Sequence, residues 1–377
     1  MELYFLDKNF QLASMPVEDF ASLTWTESWT EPGRFTLYVD FKYFPVIAKS
    51  RYIYNTDAQK AAVIETIQYT QADGERVVLT GRTLESLLER RVAERGYVSS
   101  ASAKVEESAY AVFNRYASPS GVRSLEGMTA GDHIQGFAET GEVTVMQGDN
   151  LAEWMYSTLP LYGMSPLVVA DMDFGAMYLT CKHLVDRTID NKDKNSPIML
   201  SHSFENTRDD AYSYDETELI NHVYVIMPSD PCYGKQIVEV DKKQEEEPRI
   251  EIYVESSASS EPIEKDGVLT PTVSLAECRA TMKQEGLEAM EGHAIQESVS
   301  CAIEQTAIYQ YRRDFWVGDK VSYTSGIIGV SMDAQITEVE EIYEAGGKKV
   351  NIRIGRDFSS VNYLRKMVQK IKGGRAL

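Results

Sequence analysis

The sequence predicts a mainly β fold with α+β insertions: two similar small β-barrels per chain plus a mixed α+β middle domain. Three observations support this fold class. A strand–turn–strand–helix pattern occurs near each end of the chain, strands of alternating polarity precede its first occurrence, and tyrosine is abundant. The 22 Tyr residues among 377 favour strands, because aromatic side chains pack well on a pleated surface. A duplicated β pattern indicates architecture before it indicates chemistry.

The two occurrences of the pattern share one order: strand, tight turn, strand, Gly-Arg, helix cap and helix. The turns at Asp73-Gly74 and Gly346-Gly347 supply the positive φ that short hairpins need, and Thr83 and Asp357 are helix N-cap residue types. Hairpins followed by helices are common, so chance similarity is the alternative. The matched Gly-Arg-cap-apolar-x-Ser-apolar run argues against chance. The repeat predicts equivalent structural roles for Ile64, Gly74, Gly81, Arg82 and Leu84 and for Ile336, Gly347, Gly355, Arg356 and Phe358.

Strand and helix patterns divide the chain into six segments. Phe35, Leu37 and Val39 alternate with more polar residues, which is typical of a half-buried strand, and about six such strands could close a small barrel. The predicted segments are a first β-barrel (1–83), an α+β middle domain (84–205), the start of the second β-barrel (206–238), an insertion of strands, loops and helix (239–312), the rest of the second barrel (313–357) and a basic C-terminal helix (358–377).

Helical patterns are predicted at four internal places. Apolar residues recur with helical spacing over 83–93 and 104–118, and 273–311 is predicted to be helical as well. A cap pattern at Gly148-Asp149-Asn150 predicts a fourth helix directly after it. A strand pair is predicted on either side of Asp171-Met-Asp173-Phe-Gly175.

Charge is distributed unevenly along the chain. The formal charge is −20; the last thirty residues, from Lys348, carry nine basic residues and one Asp, so they contribute +8 and the rest −28. An acidic body repels nucleic acid. Solubility is the more frequent reason for an acidic surface, but the same repulsion would let DNA pass through a channel without sticking.

Cysteine usage and the N-terminus point to assembly in a cytoplasm. The four Cys have no CxxC spacing, which favours reduced thiols over a disulfide framework. The chain starts with a strand pattern and has no secretory signal pattern, and no apolar run approaches membrane-spanning length.

The predicted C-terminal helix has an apolar stripe and a basic face. Such a helix can lie on a membrane surface, or it can dock on another subunit or on its own barrel. We favour protein docking, because the helix after the first copy occupies the same place without basic character. The residues predicted to take part are Leu364, Arg365, Lys366, Lys370 and Lys372.

The sequence carries little that indicates catalysis. Cys181, His183, His202 and His222 lack the paired spacing of a zinc module. Asp171 and Asp173 are types that serve glycoside hydrolysis, but Asp is also a favoured turn residue. No phosphate loop, nucleophile elbow, dinucleotide fingerprint or HExxH motif is present. We therefore predict no catalytic residue, no metal site and no cofactor.

Four stretches in combination resemble a known family. They are Leu23-Thr-Trp25 with Glu31-Pro-Gly33-Arg-Phe35, then Thr80-Gly81-Arg82-Thr83-Leu84, then His183-Leu-Val-Asp186-Arg187-Thr188, and finally Phe315-Trp-Val-Gly318-Asp319-Lys320-Val321 before Ile336-Thr337-Glu338-Val339. The chain resembles the siphophage and prophage tail-tip, or baseplate-hub, proteins, which are similar to the central hub of contractile baseplates. Many tail-associated relatives continue into a peptidase, glycosidase or fibre after the second barrel, whereas this sequence stops at Leu377.

This resemblance implies a non-enzymatic virion protein at the tail tip. Three chains with two barrels each would form a homotrimeric, pseudo-sixfold ring that matches a sixfold tube to a threefold tip and encloses the DNA channel. The implied partners are further copies of this chain, a distal tail ring protein, the C-terminus of a tape-measure protein and a separate tip, fibre or receptor-binding protein. The alternatives are a tail-associated cell-wall hydrolase and a carbohydrate- or receptor-binding tail protein.

Overall fold

The computed structural model describes residues 1–355 except 14, 71–75, 118–121, 126, 131–134, 173–174, 244–246, 266, 291–292, 294 and 305–307. It is mostly β, with 44% strand and 17% helix, which confirms the predicted mainly β class with α+β parts. The chain forms two compact units. The larger contains Met1–Tyr212 and the chain from Ser298 onward, and the smaller is Ser213–Glu297.

The N-terminal part alternates short and long strands. Its elements are β1 (Leu3–Leu6), β2 (Ser22–Ser28), β3 (Arg34–Asp40), α1 (Phe44–Ile47), β4 (Tyr52–Asn55), β5 (Lys60–Thr70) and β6 (Arg76–Thr83), with a 3₁₀ turn at Phe41–Tyr43. The predicted helix at 83–93 is instead a 3₁₀ helix, Leu84–Arg90, and the Thr83 side chain makes no capping hydrogen bond. Its leucines, Leu84, Leu87 and Leu88, are fully buried.

The middle segment mixes helices and strands, as predicted. It contains β7 (Tyr97–Val98), α2 (Val105–Tyr116), β8 (Met128–Ala130), β9 (Thr144–Val145), α3 (Leu151–Thr158), β10 (Met164–Asp171), β11 (Ala176–His183), β12 (Asp186–Arg187) and β13 (Met199–Leu200), with 3₁₀ helices at Leu159–Tyr162 and His202–Phe204. The Asn150 side chain accepts hydrogen bonds from the amides of Ala152 and Glu153, so the predicted cap starts α3. Helices and strands here share one core with β5 and the 3₁₀ helix after β6.

The smaller unit begins within a strand, β14 (Thr207–Asp215), whose first residues belong to the larger unit. After β14 come β15 (His222–Met227), β16 (Gln236–Asp241), β17 (Glu251–Glu255), β18 (Ile263–Lys265), β19 (Val268–Thr270) and α4 (Leu275–Met290). β15 pairs antiparallel with β16 and parallel with β17. A Cβ at Gly286 would lie 2.6 Å from Val240, so glycine lets α4 approach the sheet closely.

Two predicted boundaries differ from those in this structure. β15 and β16 belong to the smaller unit, whereas the sequence assigned 206–238 to the second barrel. The helix predicted to reach 311 ends at Met290, and the chain continues as a strand. The alternation that marks this strand was hidden, because small and polar residues occupy half of Gln296–Ile303.

The C-terminal part returns to the larger unit with four strands. They are β20 (Gln296–Ile303), β21 (Lys320–Ser325), β22 (Val330–Glu344) and β23 (Gly347–Gly355). The predicted basic helix at 358–377, including Leu364, Arg365, Lys366, Lys370 and Lys372, lies outside the described residues. So do Gly74, Arg356 and Phe358.

The larger unit contains one five-stranded arrangement twice. Repeat A is β2 to β6, in which β2 pairs with β3, β3 with β6, β6 with β5 and β5 with β4. Repeat B is β14 and β20 to β23: β14 pairs with β20, β20 with β23, β23 with β22 and β22 with β21. When the strands of each repeat are numbered along the chain, both repeats place them in the sheet in the same order, 3-4-5-2-1. The smaller unit is inserted between the first and second strands of repeat B.

The two repeats are parts of one sheet and not separate barrels. Thirteen of the described strands join a single sheet, and none of the sheets in the described ranges closes into a barrel. The reason lies in β2, which pairs with β3 on one edge and with β22 of repeat B on the other. The strand that could have closed repeat A therefore joins the two repeats.

Candidate assembly site

The two hairpins that first revealed the repeat share an irregularity. The ladder between β5 and β6 slips between Ile64 and Thr66, and that between β22 and β23 slips between Ile336 and Glu338. The Ile64 amide donates to the Arg51 carbonyl at 3.0 Å, and the Ile336 amide donates to the Asp319 carbonyl at 2.8 Å. A β-bulge at matching positions with matching partners makes Ile64 and Ile336 structurally equivalent.

The two Gly-Arg dipeptides do not occupy equivalent places. Gly81 lies opposite Ile64, whereas Ile354 lies opposite Ile336, so Gly355 is one position further along. The second hairpin is one residue longer as a whole, since 18 positions separate Ile336 from Ile354 and 17 separate Ile64 from Gly81. Gly81 is required by packing: a Cβ there would lie 1.8 Å from the Val63 carbonyl oxygen. Gly347 has φ of +113° but is the first residue of β23, because the two-residue turn is Ala345-Gly346, one position before the predicted Gly346-Gly347 turn.

The other sequence-predicted residues of the repeat are held by packing or by ion pairs. Ile64, Leu84 and Ile336 are buried in three different apolar clusters. Arg82 bonds Glu65 at 2.8 Å and Glu89 at 2.6 Å. The hydrogen bond to Glu65 is the main reason that the pKa of the Arg82 guanidinium is raised.

A buried ion cluster connects repeat A to repeat B. Glu27 on β2 pairs with Lys60 on β5 and with Arg312, which precedes β21. Arg312 also bonds Glu341 at 2.6 Å, and Lys348 bonds the second oxygen of Glu341 at 2.6 Å. The Arg312 guanidinium donates to the Ala58 carbonyl at 3.1 Å as well. The carboxylates of Glu27 and Glu341 are almost completely buried. They have few other partners than the cations of the cluster, so the cluster fixes the two repeats to each other.

The cluster holds the Glu27 carboxylate ionised despite burial. Burial by itself raises the pKa of the Glu27 carboxyl, but the charges of Lys60, Arg312 and Lys182 outweigh it and hold that pKa at about 2. Burial and the neighbouring Lys60 ammonium lower the pKa of Lys182 to about 8. Removing one member would leave a buried charge without its partner, which costs about 3 to 5 kcal/mol in comparable sites.

Three of the four stretches that carry the family resemblance meet near Trp29, which follows Glu27 of this cluster by two residues. The Trp29 amide donates to the Thr337 carbonyl at 3.0 Å. Gly318 has φ of +101°, and a Cβ there would lie 2.1 Å from the Trp29 ring. Arg187 on β12 bonds Asp319 at 2.7 Å, which ties the middle segment to the start of β21 in repeat B. These stretches therefore form the junction of repeat A, repeat B and the middle segment.

Sequence reasoning did not identify the ion cluster. Its members lie at five separate places along the chain, and each looks like an ordinary surface charge in its local pattern. One local feature sets Arg312 apart in the structure: it has φ of +66°, which is uncommon for a residue other than glycine. The sequence gives no sign of that conformation.

The candidate catalytic and metal-binding residues are dispersed. His183 bonds Glu139 at 2.9 Å, His202 contacts the Thr207 carbonyl, and His222 lies in the smaller unit. Asp171 ends β10, and Asp173 lies outside the described residues. No group of His, Cys, Asp or Glu in the described part has a metal-binding arrangement. No described helix is both long and apolar enough to cross a bilayer.

A cleft of about 570 Å³ lies near the β1–β2 connection. The residues that line it are Lys8, Asn9, Phe10, Arg51, Gly127 and Gly175. Among the described residues, this lining offers basic and amide groups.

The fold is that of prophage tail proteins. A 43 kDa tail protein of prophage MuSo2 from Shewanella oneidensis matches with a TM-score of 0.57 at 12% identity, over 96% of this chain and 99% of that one. A tail protein from Neisseria meningitidis MC58 matches at 0.51 and 11%, over 94% and 96%. Prophage tail protein gp18 from Listeria monocytogenes EGD-e matches at 0.52 and 11%, over 99% and 100%.

Sequence comparison adds the family. A search of curated proteins finds no match. The family model described as siphovirus ReqiPepy6 Gp37-like protein matches residues 118–356, which include β8 to β13 of the middle segment, the smaller unit and all of repeat B. That match covers more than half of the sequence. The chain therefore belongs to the siphovirus ReqiPepy6 Gp37-like protein family, and the predicted kinship with phage tail proteins is confirmed.

Proposed function

We propose that this chain is a structural hub protein of a phage tail tip, in which three copies form a ring around the DNA channel. The observation that carries the proposal is the duplication: repeat A and repeat B have the same five strands in the same order within one chain. Three chains then supply six equivalent strand units. A threefold assembly of this kind can meet a sixfold tube on one side and a threefold tip on the other.

The charge and the buried junction agree with a structural role. The body of the chain carries −28, so a channel lined by it would repel DNA and let it pass without specific binding. The ion cluster joins the two repeats through buried ion pairs, which suits a structural protein. In this proposal the distal tail ring protein, the C-terminus of the tape-measure protein and a separate tip, fibre or receptor-binding protein are the neighbours.

Immunogold labelling of phage particles tests the location. An antibody against this chain should bind at the distal end of the tail and nowhere along the tube. Label distributed along the tail, or confined to the head, would contradict a tip hub. Purified protein is also expected to leave peptidoglycan intact in a zymogram; clearing that is lost in Asp171→Asn would favour a cell-wall hydrolase instead.

A further inference from the structure

We infer that β14 of one chain pairs antiparallel with the outer edge of β5 in a second copy of this chain. The pairing would repeat between chains the contact of β2 with β22 that joins repeat A to repeat B within the chain. This inference rests on the proposed function, because it supplies the contact that links one chain of the ring to the next.

The correspondence of the repeats identifies the two strands. β2 and β14 are the first strands of the two repeats, and β5 and β22 are their fourth strands. Within the chain, the first strand of repeat A pairs with the fourth strand of repeat B, from Ser22 opposite Glu344 to Ser28 opposite Glu338. The complementary combination is the first strand of repeat B with the fourth strand of repeat A. In the described part of the chain, β14 is the last strand of its sheet, and beyond Val63 the edge of β5 away from β6 has no partner strand.

Equivalent residues of β5 and β22 differ in side-chain exposure because, among the described strands, only β22 has a partner strand on this edge. Val339 and Glu341 on β22 are each 1% exposed, because β2 lies beside them. The equivalent residues of β5, counted from the bulge, are Ile67 and Tyr69, which are 38% and 47% exposed. An isoleucine and a tyrosine thus occupy surface in repeat A at positions that are covered in repeat B.

The backbone of β5 is oriented for pairing. The Trp29 amide bonds the Thr337 carbonyl, and residues alternate along a strand, so Val339 and Glu341 direct their N–H and C=O groups toward β2. By the same count, Ile67 and Tyr69 direct theirs to the open edge, while Thr66 and Gln68 bond β6. The segment Thr66–Thr70 has no charged residue and no proline, which are the usual protection of an exposed edge strand.

A second copy of this chain is the occupant that fits. Both halves of the contact are present on every chain, and β14 is exposed along most of its length. The contact is head-to-tail, since β14 and β5 are different surfaces, and such contacts generate closed rings when the rotation per chain closes. In a ring of three chains, the junctions between the six repeats would alternate between contacts within a chain and contacts between chains.

Disulfide trapping tests the pairing directly. In a Cys232→Ser background, where Cys181, Cys278 and Cys301 are buried, Ile67→Cys is combined in turn with Ala211→Cys, Tyr212→Cys, Ser213→Cys or Tyr214→Cys. Strand pairing predicts interchain disulfides at alternate positions of β14, because successive side chains point to opposite faces. The matched control replaces Ile67→Cys by Tyr253→Cys, a 73% exposed strand residue of the smaller unit, and should give none. Equal trapping at all four positions, or trapping only with the control, would overturn the inference.

An edge-blocking variant gives a second readout. Tyr69→Pro removes an N–H from the open edge without removing one that bonds β6, so the trimer should dissociate while the far-UV circular dichroism is unchanged. Tyr69→Thr retains that N–H and should remain trimeric. If wild-type protein forms no ring, the proposed function fails. If it forms a trimer that Tyr69→Pro does not affect and the cysteine pairs do not trap, the ring stands and this contact is wrong.

Discussion

At the scale of single residues, the most constrained position of repeat A is Gly81. A side chain there would collide with the Val63 carbonyl and the Phe35 ring, both of which belong to the core of the sheet. We expect Gly81→Ala to lower the free energy of unfolding by about 2 to 4 kcal/mol, measured by urea denaturation. Gly346→Ala is the matched control, because nothing lies within 4 Å of its Cβ position, and its effect should stay within about 0.5 kcal/mol. Equal effects of the two substitutions would contradict this account of Gly81.

The ion cluster predicts a specific loss of stability in acid. The folded pKa of Glu27, about 2, is below the ordinary glutamate value of 4.5, so its contribution is present above pH 4.5 and is lost as the pH falls toward 2. We expect Glu27→Gln to lower the free energy of unfolding at pH 7 by about 3 kcal/mol, and by much less at pH 3. Urea titrations at both pH values measure this. Glu344→Gln, on an exposed carboxylate, should show no such pH dependence; a pH-independent effect of Glu27→Gln would show that the cluster is not the cause.

At the scale of elements, the two long hairpins should differ in amide protection. Val339 and Glu341 lie against β2, whereas Ile67 and Tyr69 lie at an open edge. In dissociated chains we expect the amides of Ile67 and Tyr69 to exchange at least ~100-fold faster than those of Val339 and Glu341. Assembly should slow the first pair to the rate of the second, as measured by hydrogen exchange with mass spectrometry. Equal protection before assembly would mean that the β5 edge is already covered.

Local sequence pattern predicted elements better than it predicted their connections. The Asn150 cap and the alternation of β3 are decided by neighbours along the chain, and both were predictable. The role of β2 was not, because its second partner, β22, lies more than 300 residues away. That single pairing replaced two barrels by one sheet. The offset between Gly81 and Gly355 could not be predicted either, because a one-residue difference in hairpin length changes which residues pair without changing the Gly-Arg motif.

At the scale of the whole molecule, the duplication extends further along the chain than the family match. The matched residues, 118–356, contain all of repeat B, while repeat A lies outside them. Yet the strand order of repeat A is that of repeat B, so the two repeats are comparable in structure beyond the family match. The smaller unit enters repeat B between its first two strands, a point where a long connection leaves the remaining pairings intact.

The central claim is that three chains, each with two repeats, form one ring, and native mass spectrometry of the purified protein tests it most directly. The chain has a mass of 42.5 kDa, so the account predicts a species of three times that mass, about 128 kDa, that persists on dilution. Glu27→Gln should weaken the junction within the chain without changing this stoichiometry, whereas Tyr69→Pro should abolish it. A protein that remains at 42.5 kDa at all concentrations, or that forms only a twofold dimer, would contradict the account.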